Sequence, residues 1–191
     1  MKFTPQSISD VILIEPTVHG DERGYFMESF KQDVFENALG YKVNFIQDNE
    51  SKSTKGVLRG LHYQLPPYAQ AKLVRVVKGS VLDVAVDIRQ NSNTFGQYVS
   101  LVLSEENKKQ LFVPRGFAHG FVVLEDDTIF SYKVDNYYSP DCDRGILFDD
   151  EALDIDWIVN KEKLNLSDKD KVQPLLKDTT DLFEYGINYY V

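Results

Sequence analysis

Short stretches rich in β-branched and aromatic residues recur along this sequence as far as residue 134, and they constrain its fold more than any other feature. They follow one another roughly every ten to fifteen residues and are separated by turn signals such as HGDERG, VKGS and NSNTFG. No helical segments alternate with them, which argues against a parallel α/β fold and favours an all-β sandwich or jelly roll. The predicted strands are Val11–Ile14, Gly24–Phe30, Lys42–Gln47, Val57–Gln64, Lys72–Val77, Val81–Arg89, Tyr98–Leu103, Gln110–Val113, Gly120–Leu124 and Thr128–Val134.

Helical signals are few. One helix is predicted at Gln32–Leu39, where apolar residues around Phe35 repeat at helical spacing and Gly40 can end the helix. Beyond Asp149 the sequence becomes acidic and predicts only short helical turns. No linker, low-complexity stretch or internal repeat interrupts the chain, so we expect one domain over residues 1–191.

The charge and cysteine content limit the partners and the location. Thirty acidic residues against 21 basic ones give a net charge of −9, whereas nucleic-acid-binding proteins usually present a basic face. Net charge does not describe a pocket, so a few local basic residues can still bind an anionic small molecule. The single cysteine, Cys142, allows no intrachain disulfide. With no apolar run near the ~18 residues of a membrane span and no signal-like start, we expect a cytoplasmic protein that binds neither nucleic acid nor membrane.

His62 lies in a pattern that indicates a reaction site. In VLRGLHYQ, period-two alternation places it on one strand face with Gly60, and a histidine beside glycine on an inward face has open space around it. Arg59 and Lys72 are close in sequence, and neither is readily buried without a partner. A core histidine with satisfied hydrogen bonds is the alternative. Simple alternation also puts Arg59 and His62 on opposite faces, so either a bulge at Gly60 or a site completed by a partner subunit must bring them together.

His119 ends a motif that is typical of metal-binding cupin jelly rolls. In FVPRGFAHGF, the residues Pro114, Gly116 and His119 have the spacing that those proteins use for a ligand histidine. Such sites also need a His-x-His pair on an earlier strand, and the corresponding text here is HYQ, with His62 alone. One cysteine and two usable histidines cannot supply a nitrogen- and sulfur-rich ligand set. We therefore expect a jelly roll with no metal and no cofactor.

Two further positions combine polarity with a favourable location. Tyr132, in IFSYKVDNYYS, shares a strand face with Phe130; a buried aromatic whose hydroxyl bonds the backbone is the alternative. Tyr138 follows in a turn and can stack on a flat ring. Asp170, in LSDKDK, is the carboxylate that we pair with His62, and a solvated loop acid is the alternative.

The segments VLRGLHYQ, QDNES, FVPRGFAHGF and YKVDNYYSPDCDRGI resemble the dTDP-4-dehydrorhamnose 3,5-epimerase family. The similarity extends from EPTVHGDERGYFMESF to LSDKD, and several motifs in the same order are more specific than one short pattern. The resemblance implies a cupin-like jelly-roll homodimer that needs no cofactor. Its substrate would be a dTDP-linked 4-keto-6-deoxy sugar, which it would invert at C3 and C5.

The resemblance also implies roles for individual residues. His62 would be the base, oriented by Asp170. Tyr132 would be the acid on the opposite face of the sugar, and Lys72 would hold the enolate oxygen. Asp143 stands where many members have Glu, which shortens a ligand contact by one methylene. The residues expected to contact the substrate are Arg23, Phe26, Glu28, Gln47, Asp48, Asn49, Arg59, His119, Tyr138, Asp143 and Lys169.

These residue types suit the inversion of a carbon beside a ketone. Histidine titrates at ~6.5, near working pH, and can remove the proton. Tyrosine, with a pKa of ~10, stays protonated and can return one from the other side. A preorganised lysine at the developing oxyanion can supply roughly 3–4 kcal/mol. The alternatives are a 3-epimerase, a 3,4-ketoisomerase, a metal-dependent cupin and a non-catalytic sugar-binding jelly roll, the last of which needs no such set of acid–base residues.

Overall fold

Two antiparallel β-sheets packed face to face form the body of the protein. The structure is a computed structural model in which residues 1–190 are described. The strands are β1 (Lys2–Pro5), β2 (Ile12–Glu15), β3 (Val18–Asp21), β4 (Gly24–Met27), β5 (Gln47–Ser53), β6 (Leu58–Gln64), β7 (Lys72–Lys78), β8 (Ser80–Asp87), β9 (Arg89–Gln90), β10 (Tyr98–Ser104), β11 (Gln110–Val113), β12 (Phe117–Val123), β13 (Thr128–Val134), β14 (Asp143–Gly145) and β15 (Phe183–Glu184). The predicted all-β jelly roll is confirmed.

The strand order explains where the two walls of the sandwich lie. The six-stranded sheet runs β1-β2-β11-β7-β13-β5 and the five-stranded sheet runs β10-β8-β12-β6-β14. Hairpin β3–β4 and the parallel pair β9–β15 stand apart from both sheets. Within residues 1–190 there is one α-helix, α1 (Gln32–Leu39), and there are three 3-10 helices, at Lys161–Lys163, Asp170–Val172 and Leu176–Asp178. None of these helices is long and apolar enough to cross a membrane.

Apolar side chains fill the sandwich on both faces of the five-stranded sheet. Strand β8 is buried along its whole length, because one face meets the other sheet and the other face is covered by Trp157, Leu176 and Phe183 from the segment after β14. Burial of each such side chain contributes about 1.5–3 kcal/mol. The residues between the sheets are Ile8, Val11, Val74, Val76, Val81, Ala85, Val99, Leu103, Leu111, Val113, Phe117, Phe121, Val123 and Phe130.

Helix α1 covers the outer face of the six-stranded sheet. Its buried Phe35 packs edge-on against Phe112 of β11, with ring centroids 5.2 Å apart. The helix ends where predicted, since Gly40 adopts a left-handed conformation with φ 79° and its amide donates to the carbonyl of Glu36 at 2.8 Å. Both predicted helix boundaries are confirmed.

The strand predicted at Lys42–Gln47 is wrong. Val43 and Phe45 do point inward, against the aromatic cluster around Phe35, but the backbone of 42–46 is not in a sheet. The strand is instead Gln47–Ser53, an edge strand with the polar sequence QDNESKS. An edge strand with one face in water and the other in a cavity needs no apolar alternation, which is the signal the prediction relied on.

Other strand boundaries moved by smaller amounts. The strand predicted at Gly24–Phe30 stops at Met27, and the one predicted to begin at Gly120 begins at Phe117. Predicted strand Val81–Arg89 divides into β8 and β9. The strands that the sequence did not indicate, β1, β3, β14 and β15, are at most four residues long.

A bulge at Gly60 brings Arg59 and His62 onto the same side of β6. The pairing between β12 and β6 shifts between His119–His62 and Phe121–Arg59, so that β6 uses one residue more than β12. Gly60 has φ +128°, and a Cβ there would lie 2.5 Å from the Cα of Gly120. The backbone therefore needs glycine for both its conformation and its space. Of the two explanations open from the sequence, the structure has the bulge.

We expect Gly60→Ala to lower the free energy of unfolding by at least about 3 kcal/mol, since it combines backbone strain with a backbone clash. Gly24→Ala is the matched control, because Gly24 has φ +126° and nothing within 4 Å of its Cβ position. It should cost only about 1–2 kcal/mol. Chemical denaturation of both variants checks this, and equal losses would contradict the close-contact argument.

Candidate active site

A cavity of about 500 Å³ opens at one end of the sandwich, between the two sheets. A smaller cavity of about 260 Å³ adjoins it and shares His62, Lys72, Tyr132 and Lys169. Strands β6 and β12 form one wall, and β5, β7 and β13 form the other. The larger cavity is lined by Glu50, Ser51, Val57, Leu58, Arg59, His62, Lys72, His119, Phe121, Phe130, Tyr132, Asn165, Leu166, Ser167, Lys169 and Asp170.

His62 and Asp170 form a hydrogen-bonded pair at 2.6 Å. The side chain of Asp170 is 4% exposed, and that of His62 is 30% exposed to the cavity. Burial alone would raise the pKa of Asp170, but the hydrogen bond from His62 and a contact with Ser167 hold that pKa below its usual range. An ionised Asp170 keeps a proton on the ring nitrogen it contacts, which leaves the other nitrogen free to act as a base.

Lys72 projects from the start of β7 into both cavities. Burial lowers the pKa of its ammonium group to about 8, although Asp83 and Asp143 partly offset this. The ammonium group is therefore mostly protonated at neutral pH, and it is less hydrated than a surface lysine. A charge in such surroundings interacts strongly with a developing anion.

His119 lies on β12 and pairs with Asp83 of β8, each carboxylate oxygen being 3.0 Å from Nε2. Burial lowers the pKa of His119 despite Asp83, so its ring is neutral at neutral pH. Sequence reasoning missed Asp83. A signal was available, because Asp83 is a carboxylate inside the otherwise apolar run VLDVAV, where an acid needs a buried partner.

Tyr132 faces the cavity from β13, in the sheet opposite His62. Burial raises the pKa of its hydroxyl, with Arg59 acting in the other direction, so the hydroxyl stays protonated at neutral pH. Beside it, Phe130 stacks on Phe121 with ring centroids 4.1 Å apart. The result is a protonated tyrosine hydroxyl and a histidine–carboxylate pair on opposite walls of one cavity.

Several residues expected to contact substrate also reach the two cavities. Gln47 and Asn49 of β5 hydrogen-bond each other at 2.8 Å, and Arg59 donates to the hydroxyl of Ser53 at 3.2 Å. The smaller cavity is lined by Gln47, Asn49, Tyr138, Asp143 and Lys169 among others. Asp143 accepts a hydrogen bond from Tyr138 at 3.1 Å and forms an ion pair with Lys169.

Four expected contacts lie outside these two cavities. Arg23, Phe26 and Glu28 lie on or next to hairpin β3–β4, where Arg23 pairs with Asp21 and Phe26 is 68% exposed. Asp48 points to the outer face of β5 and binds Lys133 at 2.8 Å. Alternation along β5 separates Asp48 from the cavity-facing Gln47 and Asn49.

No group of three or more His, Cys, Asp or Glu side chains is placed to hold a metal ion within residues 1–190. Cys142, the residue most suited to a soft metal, is a free thiol.

A family model described as dTDP-4-dehydrorhamnose 3,5-epimerase matches residues 5–178. This chain belongs to that family. The dTDP-4-dehydrorhamnose 3,5-epimerase of Shigella flexneri is 61% identical over 170 residues, which cover 89% of this chain and 93% of that protein. Members of the family are isomerases, and so is this protein.

Solved structures agree with the family assignment. The Legionella pneumophila dTDP-6-deoxy-D-glucose-3,5-epimerase, bound to dTDP-4-keto-L-rhamnose, has a TM-score of 0.93 and 47% identity, covering 97% of this chain and 99% of that one. A 3'-monoepimerase from Streptomyces bikiniensis, bound to dTDP-quinovose, has a TM-score of 0.86 and 34% identity, covering 91% and 87%. The fold thus supports epimerases that act at one carbon and at two.

We expect Lys72→Met to raise the free energy of unfolding by about 2 kcal/mol at pH 7, because it removes a buried charge. The gain is smaller than the pKa change implies, because the cavity admits water. It should shrink as the pH rises from about 8 to 10.5, since native Lys72 loses its proton first and the unfolded lysine later. Denaturant titrations of both proteins at pH 7 and at about pH 10.5 check this.

The control is Lys78→Met, at the exposed end of the same strand, which should change stability by less than about 0.5 kcal/mol. A Lys72→Met variant less stable than the unmodified protein at pH 7 would contradict the argument.

Proposed function

We propose that this protein is a dTDP-4-dehydrorhamnose 3,5-epimerase. It inverts C3 and C5 of dTDP-4-dehydro-6-deoxy-D-glucose and yields dTDP-4-dehydro-L-rhamnose. The observation that carries the proposal is the placement of the His62–Asp170 pair and of Tyr132 on opposite walls of one cavity. Inversion needs a proton to leave one face of a ring and another to arrive at the opposite face.

Proton removal is assigned to His62. Its hydrogen bond to Asp170 fixes the tautomer and stabilises the imidazolium that forms when the ring takes a proton. Because Asp170 is buried and ionised, it provides this stabilisation without competing for the proton.

The enolate that forms carries its negative charge on the C4 oxygen, and Lys72 is the cation placed to receive it. His119, neutral and held by Asp83, lines the same cavity beside Lys72. One preorganised donor of this kind stabilises the transition state by roughly 3–4 kcal/mol. No metal or cofactor is needed for the reaction written this way.

Proton return is assigned to Tyr132, whose hydroxyl is protonated and faces His62 across the gap between the sheets. After His62 has removed a proton from one face, a proton from Tyr132 reaches the same carbon from the other. Proton exchange with solvent then returns His62 to its neutral form and Tyr132 to its protonated form, and a second cycle at the other carbon completes the double inversion.

The smaller cavity fits the nucleotide part of the substrate. Tyr138 is 60% exposed at its edge and can stack on a thymine ring. Lys169, which lines both cavities, and Arg59, which lines the larger one, can pair with the diphosphate, and such local basic groups explain how an acidic protein binds an anion. We also propose a cytoplasmic location, in keeping with the nucleotide-sugar substrate proposed above.

We further propose a homodimer in which hairpin β3–β4 of each subunit completes the site of the other. The hairpin pairs only with itself among the described strands, and it exposes Tyr25 and Phe26. Large apolar side chains exposed together are typical of an interface. This arrangement accounts for Arg23 and Glu28, which do not line the cavity of their own chain.

In heavy water, deuterium should enter the sugar at both C3 and C5. We expect the rate of exchange at both carbons to fall by about 10²–10⁴-fold in His62→Ala. In Tyr132→Phe, His62 can still remove a proton, exchange it with heavy water and return a deuteron to the same face, so exchange should outlast inversion. Proton NMR of the substrate and product measures both.

The two variants control for one another, because each keeps the cavity and changes one proton-transfer group. Deuterium at C3 alone in the unmodified enzyme would identify a monoepimerase like the Streptomyces bikiniensis neighbour. Undiminished exchange in His62→Ala would remove His62 from its role.

The shared-site dimer predicts complementation between inactive variants. Arg23→Ala and His62→Ala damage different subunits' contributions to one site. Mixing them under conditions of subunit exchange should therefore restore about a quarter of the unmodified activity. Mixing Asp170→Ala with His62→Ala is the control and should restore none, because both residues come from the same chain. Light scattering that shows an active monomer at micromolar concentration would contradict the dimer.

A further inference from the structure

Residues 179–190, which we call the C-terminal strap, lie beyond the part of the chain that the family model matches. The strap is anchored by Phe183, which is 2% exposed, and by the pairing of β15 with β9. Tyr63 donates a hydrogen bond to the carbonyl of Asp181 at 2.7 Å. The strap is therefore a folded part of the molecule, in contact with the core.

The end of the strap holds Arg115. The guanidinium group of Arg115 donates to the carbonyl of Tyr189 and lies with its Cζ atom 5.0 Å from the centre of the Tyr190 ring. The backbone amide of Arg115 donates to the Tyr190 hydroxyl at 3.1 Å. Tyr190 in turn packs on Tyr41, with ring centroids 5.0 Å apart. Arg115 is thus bound through both its side chain and its backbone.

Arg115 in turn binds Asp135 and restrains its position. Its Nε donates to one carboxylate oxygen of Asp135 at 3.0 Å, and the other oxygen accepts from the amide of Ala71 at 2.6 Å. The side chain of Asp135 is 2% exposed, and burial raises its pKa although Arg115 acts in the other direction. A buried carboxylate that lost its arginine would be left uncompensated, so the pair is costly to break.

Ala71 is the residue before Lys72, where β7 begins. Lys72 pairs with Val134 on one side and Val113 on the other. Asp135 directly follows Val134, and Arg115 follows Val113 with one residue between. Arg115 and Asp135 therefore flank the start of β7, each just beyond the strand that neighbours it.

We propose that the C-terminal strap, Arg115 and Asp135 form a positioning network that fixes the start of β7 and with it the ammonium group of Lys72. The inference rests on the proposed function for its catalytic consequence. None of the three touches the substrate cavities, so they act through Lys72. A displacement of about 1 Å in an oxyanion-binding group can cost on the order of 10²-fold in rate.

The test uses full-length variants of the strap and of Arg115. Tyr190→Ala removes the ring and hydroxyl that hold Arg115, and Arg115→Gln removes the charge that faces Asp135. Tyr185→Ala is the matched control, because Tyr185 is a strap tyrosine that instead contacts Arg89, 5.2 Å from its ring centre. For each variant we would measure kcat and KM with the dTDP-4-keto-6-deoxy sugar, the Kd of dTDP, and backbone hydrogen exchange.

We expect kcat to fall about tenfold in Tyr190→Ala and Arg115→Gln, with the Kd of dTDP unchanged. Exchange should quicken in the peptide that contains Ala71 and Lys72, and Tyr185→Ala should match the unmodified protein in every measurement.

The pH dependence of kcat distinguishes a positioning role from a general loss of stability. Lys72 is surrounded by His62, His119, Asp83, Asp143 and Tyr132, which come from five other strands. Burial sets its pKa to about 8, so kcat should fall as the pH rises through that value. A less confined Lys72 is better hydrated, so in the two variants this decline should move to higher pH.

Unchanged kcat and unchanged exchange in Arg115→Gln and Tyr190→Ala would overturn the network. Equal losses in Tyr185→Ala would overturn it as well, because the strap would then serve stability alone. If the unmodified protein showed no turnover, the proposed function would fail separately. The exchange measurement, which needs no substrate, would then decide: faster exchange at Ala71 supports the network and unchanged exchange overturns it.

Discussion

The contact between Gly60 and Gly120, where β6 and β12 pass with no side chain between them, is the constraint on which the rest of the site depends. A Cβ at Gly60 would meet the backbone of Gly120 at 2.5 Å. Because the strands can approach this closely, β6 accommodates its extra residue, and Arg59 turns to the same side as His62. His62, Arg59 and His119 then share one cavity instead of being divided between two faces of a sheet.

The proposed chemistry depends on charged and titratable side chains in a part of the fold where apolar side chains are usual. His119 and Asp170 are hydrogen-bonded to Asp83 and His62, and Lys72 interacts with the charges of Asp83 and Asp143. Burial weakens competition from water and strengthens every interaction with a charged intermediate. The apolar core on both faces of β8 provides the stability that such a polar interior requires.

Sequence patterns predicted the parts of this fold that are governed by local repetition. The alternation of apolar residues located most core strands, and the apolar stripe with Gly40 located α1 at both ends. The polar edge strand Gln47–Ser53 carries no such repetition and was misplaced. Contacts such as His62–Asp170, 108 residues apart, leave no trace in local spacing, and that pairing came from the family resemblance. Asp83 was overlooked because its partner, His119, lies on another strand.

The stacked rings of Phe121 and Phe130 come from different sheets and line the same cavity as His62 and Tyr132. They act as a spacer that sets the gap between the wall carrying His62 and the wall carrying Tyr132. Local openings that loosen packing can cost less free energy than global unfolding does. Stereochemical inversion, which needs both walls at a fixed distance, therefore has a lower thermal limit than the fold that contains it.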